Sequence, residues 1–331
     1  MARSPFSLLK ALARRMLGRH DLWKVYLTKA DLRPYLREYR VIAARRKSSP
    51  EVFADLWCNY MIALMECGEL REFDKVYDEF IRRGGGAAQI KDFLFLSNIA
   101  VQKGMADAEV CRSAGMYTKL KASHDGHALE SFVKGKTVAI VGSGPSERGK
   151  GLGGEIDSHD IVIRINNHTV KGFEADYGSR TDIWAKHTSD YLRHDLPDTG
   201  IKMVVYAANW MRDRLVYGYK DAIERDLSKR IVDYCDALDR AALTESINGH
   251  PMTGTLLIEK LRHSQMASLD AYGFSFLESG DSGYAHYFND KDVSTPSTTV
   301  GIHRLSSETS YLKRMFGGGR RLYPSERKSG D

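Results

Sequence analysis

The stretch VAIVGSGPSERGKG, residues 138–151, decides the fold, because a run of small and branched apolar residues leads straight into glycines. Such a strand followed by a glycine-rich turn is how many α/β folds place backbone N–H groups against an anion. Two familiar loops each fail here at one position. A P-loop needs Ser or Thr after Lys150 and finds Gly151, and a dinucleotide loop needs a third Gly and finds Glu147. The stretch therefore predicts an anion-binding turn of another kind.

The composition is ordinary for a soluble globular protein, and a length of 331 residues suggests two structural units. The net charge of +6 is unevenly placed, since residues 1–50 contain 13 Lys and Arg against 3 Asp and Glu, a balance of +10 that leaves −4 for the remainder. Because the basic residues do not fall in the presumed catalytic part, we expect no nucleic-acid partner.

The four cysteines are too few and too scattered for a disulfide framework, and no CxxC or Cys/His metal spacing occurs. No apolar run is long enough to span a bilayer, and no convincing signal peptide is present. These patterns favour a reducing, cytoplasmic location.

Residues 1–20 predict a short basic amphipathic helix. The apolar side consists of Leu8, Leu9, Leu12 and Met16, and the basic side of Lys10, Arg14 and Arg15. Two interpretations stay open: peripheral contact with an anionic surface at the inner membrane, or a helix docked on its own domain with a solvated basic face.

Residues 21–130 predict a helical domain. Its clearest helices are expected at residues 53–65, 70–83, 92–103 and 106–120. Trp57 and Phe93 lie 36 residues apart, as do Gly68 and Gly104. This period is typical of tetratricopeptide-like helical hairpins, although two units predict a small domain or an oligomerisation surface rather than a solenoid.

Residues 131–320 change to alternating strands and helices, and residues 321–331 form a tail. Strands are expected at residues 137–141, 161–165, 183–185, 201–206 and 269–274, with an outer helix at residues 253–262. β-branched runs of this kind are typical of a mostly parallel α/β sheet flanked by helices. Ligands of such sheets bind outside the carboxyl ends of the strands, which is where Gly142, Ser143 and Gly144 fall.

The segments GEIDSHDIVIRIN (residues 154–166) and GFEADYGSRT (residues 172–181) follow the turn. Together with it they resemble the long sialylmotif of glycosyltransferase family 29, the sialyltransferases. Three shorter blocks follow in the order of that family: PMTG with AYGF (residues 251–254 and 271–274), HYFN (residues 286–289), and His303 with Glu308. The resemblance spans roughly residues 137–316.

The resemblance implies an inverting, metal-independent transfer of sialic acid from CMP-sialic acid to a sugar hydroxyl, without a cofactor, on a GT-A-like (Rossmann-type) sheet. It also implies the site residues. Substrate-binding roles fall on Gly142, Ser143, Gly144, Asn166, Thr253, Gly254, Gly273 and Phe274, with Met252 and Glu308 as supporting residues.

Two histidines receive catalytic roles from the resemblance. His286 resembles the histidine of the family that binds phosphate, and would stabilise charge growing on the departing CMP. His303 resembles the general base that takes the proton of the acceptor hydroxyl, a role that suits imidazole because its ordinary pKa lies near neutral pH.

Each of these residues taken alone would have an ordinary structural explanation, and only four motifs in fixed order favour function. Asp157, His159 and Arg164 are interpreted as structural residues that hold the loop in shape. The DKD segment at residues 290–292 could be mistaken for a metal-binding DxD motif, but a solvated loop is the interpretation adopted.

The pattern departs from the family at identifiable positions. Ser143 stands where the family commonly has Asn, which leaves the donor geometry open. Val138 and Met266 stand where the animal enzymes have a disulfide pair, and their membrane anchor is not found, which together suggest a bacterial cytoplasmic enzyme. In that context Kdo, another 2-keto sugar acid activated by CMP, becomes a second candidate for the transferred sugar in capsule or lipopolysaccharide synthesis.

The sequence therefore predicts a CMP-sugar glycosyltransferase that acts on a glycan or glycolipid acceptor. A homo-oligomer is compatible with this prediction. Two other interpretations stay open. One is a non-catalytic helical adaptor fused to a decayed transferase domain, and the other is a P-loop or dinucleotide enzyme built on the glycine turn.

Overall fold

The protein was analysed as a computed structural model that describes residues 29, 31–44, 50, 53–187, 200–207, 214–215, 219–235, 237–274, 287–288 and 305–323. The predicted helix at residues 1–20, the DKD segment, His286 and His303 lie outside these residues.

The N-terminal part of the described chain is helical, as predicted. Its helices are α1 (Leu36–Ala43), α2 (Ala54–Glu66), α3 (Leu70–Arg82), α4 (Ala87–Ile90), α5 (Leu94–Gln102), α6 (Ala108–Asp125) and α7 (Ala128–Val133), with a 3-10 turn at Arg33–Tyr35 before them. The helix expected from residue 106 starts instead at Ala108, because the Asp107 side chain accepts hydrogen bonds from the N–H groups of Glu109 and Val110 and caps the helix there.

Aromatic side chains form the core of this helical region. Trp57 packs against Phe80, with ring centroids 6.1 Å apart, and Tyr39 stacks on Tyr60 at 5.7 Å. All four side chains are buried. Aromatic pairs at such distances add to the free energy gained from burial, so the region has a core of its own.

The second part of the described chain is a seven-stranded sheet in the order β5-β4-β3-β2-β1-β6-β7. The strands are β1 (Thr137–Val141), β2 (Ile161–Ile165), β3 (Ile183–Lys186), β4 (Met203–Tyr206), β5 (Ile231–Tyr234), β6 (Ser268–Tyr272) and β7 (Arg321–Leu322). Every neighbouring pair is parallel except β6 and β7, which are antiparallel. The predicted mostly parallel α/β sheet, flanked by helices and preceded by a helical region, is confirmed.

Helices cover the sheet. They are α8 (Gly153–Asp157), α9 (Glu174–Tyr177), α10 (Tyr219–Lys229), α11 (Ala237–Ile247), α12 (Thr253–Leu261) and α13 (Leu305–Phe316). One buried cluster joins the strands to α12 and α13 through side chains such as Ile163, Leu257 and Leu312. None of the described helices combines the length and the apolar character needed to cross a bilayer.

The helical region packs directly against the other face of the sheet. Leu94, Met116 and Leu120 form one buried cluster with Trp184 and Tyr206 of the sheet. Because burying a large apolar side chain stabilises a fold by roughly 1.5–3 kcal/mol, this shared cluster holds the two parts together far more strongly than exposed ion pairs would.

The strand order positions the site. The chain moves from the central β1 outward through β2 to β5 on one side, and returns to place β6 on the other side of β1. The connections that leave the carboxyl ends of β1 and β6 therefore run in opposite directions. Such a switch point opens a crevice in which α/β sheets bind ligands.

Candidate functional site

The crevice is lined by two turns whose backbones touch. The N–H of Gly142 donates to the carbonyl of Tyr272 at 2.8 Å, and the N–H of Gly144 donates to the carbonyl of Gly273 at 2.8 Å. A Cβ on Gly142 would lie 2.7 Å from the Gly273 oxygen, and one on Gly273 would lie 2.5 Å from the Gly142 oxygen. Gly273 also has a φ of +69°, so glycine is required by both space and conformation.

The second half of the glycine loop binds a carboxylate side chain of the protein itself. The N–H groups of Gly149 and Gly151 donate to the Asp176 carboxylate at 2.8 and 2.9 Å. These bonds, from Gly149 first, lower the pKa of Asp176. This half of the loop is therefore satisfied within the chain, which leaves residues 142–144 as the candidate ligand-binding turn.

Asp157 and Arg164 shape the motif from below, as the sequence analysis predicts. The Asp157 carboxylate accepts hydrogen bonds from the N–H groups of Ser179 and Arg180. Burial acts to raise the pKa of Asp157, but these N–H groups outweigh it and the pKa is lowered. The fully buried Arg164 donates to the carbonyls of Gly178 and Arg180, each at 2.9 Å. Both side chains therefore hold the main chain of residues 178–180 in place.

His159 also has a structural role, because its ring is bound to a buried carboxylate. Its Nε2 lies 2.8 Å from the buried Asp270 carboxylate, which also accepts a two-pronged bond from Arg321. The hydrogen bond with Asp270 raises the pKa of His159. The pair ties β6 and β7 to the end of α8 and stands apart from the crevice.

Asn166 directly follows β2 at the edge of the crevice, and its side-chain amide is held on two sides. Its Oδ1 accepts a hydrogen bond from the N–H of His187 at 3.2 Å, and its Nδ2 donates to Oγ1 of Thr253 at 3.4 Å. Its φ of +51° is the left-handed conformation, which Asn adopts more readily than most residues. These two bonds hold the amide in place between the ends of β2 and β3 and the start of the helix at Thr253.

Helix α12 points its N-terminus at the same place. Met252 is the N-cap residue and makes no side-chain capping bond, so N–H groups of the first turn can meet an anion. A Cβ on Gly254 would lie 2.9 Å from the Phe274 ring and 3.0 Å from Cδ1 of Ile165. Gly254 therefore lets the helix approach the ends of β2 and β6 closely.

Glu308 supports this helix mouth from α13. Its carboxylate accepts hydrogen bonds from the N–H of Met252 at 3.0 Å and from Oγ1 of Thr255 at 2.7 Å. The side chain is fully buried. Burial raises the pKa of Glu308 to about 7, and the two hydrogen bonds oppose the rise only in part.

The described part of the HYFN block touches the turn. The N–H of Tyr287 donates to the carbonyl of Ser143 at 2.9 Å, and the Tyr287 ring stacks on Tyr177 at 3.9 Å. The Ser143 hydroxyl donates to the carbonyl of Asn167 at 3.2 Å, so it braces the turn against the end of β2. His286, which precedes Tyr287, and His303 lie outside the described residues.

The sequence analysis missed a buried carboxylate under the turn. Glu147 is 1% exposed and accepts a hydrogen bond from the N–H of Gly273 at 3.1 Å. Arg320 and Lys150 lie 3.5 and 3.4 Å from it. A local pattern could have suggested only the Lys150 contact, because Gly273 and Arg320 lie more than a hundred residues away along the chain.

The structure thus gathers most of the predicted site at one edge of the sheet. The residues brought together are Gly142, Ser143, Gly144, Asn166, Met252, Thr253, Gly254, Gly273, Phe274 and Glu308. Among the described residues, no group of three or more His, Cys, Asp or Glu side chains is arranged to hold a metal ion.

The chain is similar in sequence to one family of known proteins. Residues 113–189, which include the turn and Asn166, match the model of glycosyltransferase family 29 (sialyltransferase). The chain is 26% identical over 212 residues to CMP-N-acetylneuraminate-beta-galactosamide-alpha-2,3-sialyltransferase 4 of Mus musculus. This alignment covers 56% of this chain and 62% of that protein. It is 25% identical over 184 residues to CMP-N-acetylneuraminate-beta-galactosamide-alpha-2,3-sialyltransferase 1 of Sus scrofa, covering 52% and 53%. Both alignments span less than two thirds of the relative.

Two further similarities were found. Sialyltransferase-like protein 2 of Oryza sativa subsp. indica is 48% identical over 48 residues, which are 14% of this chain and 12% of that protein. A crystal structure of a mammalian sialyltransferase matches with a TM-score of 0.46 and 18% identity, over 70% of this chain and 85% of that one.

Proposed function

We propose that this chain, whose resemblance to glycosyltransferase family 29 is confirmed by the family model and by its curated relatives, is a CMP-sugar-dependent glycosyltransferase. It transfers a sialic acid or a related 2-keto sugar acid to a glycan hydroxyl with inversion. The proposed partners are the CMP-activated donor and a glycan or glycolipid acceptor.

The observation that supports this proposal is the convergence at the switch point of the sheet. Backbone groups of residues 142–144, the Asn166 amide and the mouth of α12 meet there, with Gly254 and Gly273 admitting close backbone approach. An amide suits the hydrogen-bonding edges of a nucleoside, and a helix N-terminus suits its phosphate. A nucleoside monophosphate would use the amide for its nucleoside and the helix N-terminus for its phosphate.

The proposed chemistry uses two histidines. His303 takes the proton of the acceptor hydroxyl as its oxygen forms a bond to the anomeric carbon. The bond between that carbon and the phosphate oxygen breaks, and its electron pair leaves with CMP. His286 donates a hydrogen bond to the departing phosphate. Support comes from their sequence neighbours, since Tyr287 bonds the turn and Glu308 bonds the α12 mouth.

Further properties complete the proposal. The reaction needs no metal ion, because the histidines and the helix mouth stabilise the leaving group. Kdo is the alternative donor sugar. The enzyme works in the cytoplasm, where the helix predicted from the sequence at residues 1–20 would contact the inner membrane, and homo-oligomers are compatible with the helical region.

A thermal-shift screen with CMP, CDP, UDP, ADP and NAD tests the proposed ligand. A ligand at a hundred times its Kd stabilises the folded state by about 2.7 kcal/mol, so CMP should raise the Tm clearly and ADP and NAD should not. Asn166→Ala should abolish the shift. Asn248→Ala, at an exposed Asn with a φ of +50°, is the matched control and should keep it. Stabilisation by ADP or NAD without CMP would refute the proposal.

A transfer assay separates the donor sugars. Purified protein is incubated with CMP-sialic acid or CMP-Kdo and a panel of glycans, with release of CMP as the readout. Transfer from one donor identifies the sugar. Specific CMP binding without transfer from either would favour the decayed-transferase interpretation instead.

A further inference from the structure

Two side chains outside the predicted site converge on the main chain of Asn166. Nε1 of Trp184 donates to the Asn166 carbonyl at 2.8 Å, and Nδ1 of His168 lies 3.2 Å from the same oxygen. Because a carbonyl can only accept, the histidine nitrogen must be the donor. Both lone pairs of this carbonyl are therefore occupied by ring N–H groups.

The Trp184 ring is itself fixed. It is 2% exposed, and Nζ of the buried Lys186 lies 4.0 Å from its centroid. Lys186 is held in turn by Asp226 at 2.7 Å, and the His168 ring meets the indole edge to face at 6.2 Å. A ring packed by a cation on one side and a histidine on another is not free to turn its N–H away.

His168 is kept neutral by its surroundings. Burial, with the charge of Arg164 adding to it, lowers the pKa of His168 to about 4. A neutral imidazole has one N–H, and the Asn166 carbonyl fixes which nitrogen bears it. The donor to Asn166 is thus constant near neutral pH.

These two bonds matter because Asn166 is in a backbone conformation that few side chains adopt. Its φ of +51° directs the amide toward Thr253 and the N–H of His187 instead of along the strand. Such conformations persist where the surrounding structure fixes them. A released carbonyl would let the peptide rotate back, and the amide would leave the crevice.

We infer that Trp184 and His168 are positioning residues that lock the Asn166 peptide in its left-handed conformation and so present its amide to the nucleotide. The inference rests on the proposed function, since it assumes that CMP contacts Asn166. Neither side chain touches the ligand in this role. Their effect is on binding of the CMP portion, through the geometry of Asn166.

The test compares Trp184→Phe with Trp57→Phe. The first removes the N–H but keeps an aromatic ring, and the second makes the same change in the core of the helical region, where the side chain is equally buried. Trp184→Phe should weaken CMP affinity and raise KM for the donor by up to about tenfold, the size expected for one hydrogen bond, with kcat changed less than about twofold. Trp57→Phe should leave CMP affinity unchanged.

A double-variant cycle guards against general destabilisation. His168→Phe alone should also weaken CMP binding, and adding it to Trp184→Phe should weaken binding less than the product of the two single effects, because both donors share one acceptor. Wild-type CMP affinity in folded Trp184→Phe and His168→Phe, or strictly multiplicative effects, would overturn the inference. Absence of CMP binding by the wild-type protein would instead overturn the proposed function, and this inference with it.

Discussion

Glu308→Gln should remove a pH dependence from the stability of the protein. The carboxyl group is fully buried and accepts hydrogen bonds from Met252 and Thr255. Gln has the same shape and keeps an oxygen for these bonds, but it is never ionised. The substitution therefore mimics the protonated carboxyl group.

The size and sign follow from the pKa. Burial raises the pKa of Glu308 from 4.5 to about 7 in the folded state, so the folded state binds this proton more tightly than the unfolded state does. The stabilisation is complete below about pH 4.5 and is lost as the pH rises through about 7. At about 1.4 kcal/mol for each of the 2.5 pH units between the two values, the whole loss is about 3.5 kcal/mol.

The assay is urea unfolding of wild-type protein and Glu308→Gln at pH 5 and pH 8. Taking the difference between the two proteins cancels every other titrating group. The variant should gain about 2.5 kcal/mol relative to wild type between the two pH values, because a small part of the stabilisation is already lost at pH 5. Glu245→Gln, at an exposed glutamate, is the control and should show no comparable gain. A difference for Glu308→Gln that stays constant within about 0.5 kcal/mol, well below the expected change, would refute the reasoning.

Three further predictions concern the crevice and its chemistry. Gly273→Ala, whose Cβ would lie 2.5 Å from the Gly142 oxygen, should abolish CMP binding and destabilise the fold by more than about 2 kcal/mol. In a thermal melt with CMP, the control Gly318→Ala, at an equally positive φ of +84° but in open space, should keep binding. His303→Ala should lower transfer by at least about a hundredfold but leave CMP affinity unchanged, and His286→Ala should also lower transfer; wild-type rates in the first variant would remove that residue from the mechanism. EDTA should leave the rate of CMP release unchanged, and a rate restored only by added metal would contradict the proposal.

The centre of the sheet could be predicted because its strands have strong local patterns. The strands at residues 137–141 and 161–165 are confirmed to the residue, since buried parallel strands require unbroken β-branched runs. β5 and β7 were missed for the opposite reason. β5 begins at an exposed residue and contains a buried Asp233, and β7 has only two residues, so neither has the unbroken apolar run by which the other strands were predicted.

The sequence could point to candidate ligand-binding residues, but not to the residues that hold them in place. Asn166 and Gly254 fall in motifs with a fixed order, whereas Glu147 and Trp184 act through single contacts with distant backbone groups. A buried glutamate is not expected beside a turn that the sequence predicts to bind an anion. Its charge is tolerated because a backbone N–H and two cations surround it.

The aromatic face that the sheet shares with α6 has a consequence for attempts to shorten this protein. Met116 and Leu120 cover Trp184 and Tyr206, and the N–H of Leu215 donates to the carbonyl of Asp92 at 2.7 Å. Expressing the strand-containing half by itself would expose this hydrophobic surface to water and promote aggregation. The helical region and the sheet should therefore be expressed and engineered together, because the helices complete the hydrophobic core on this face of the sheet.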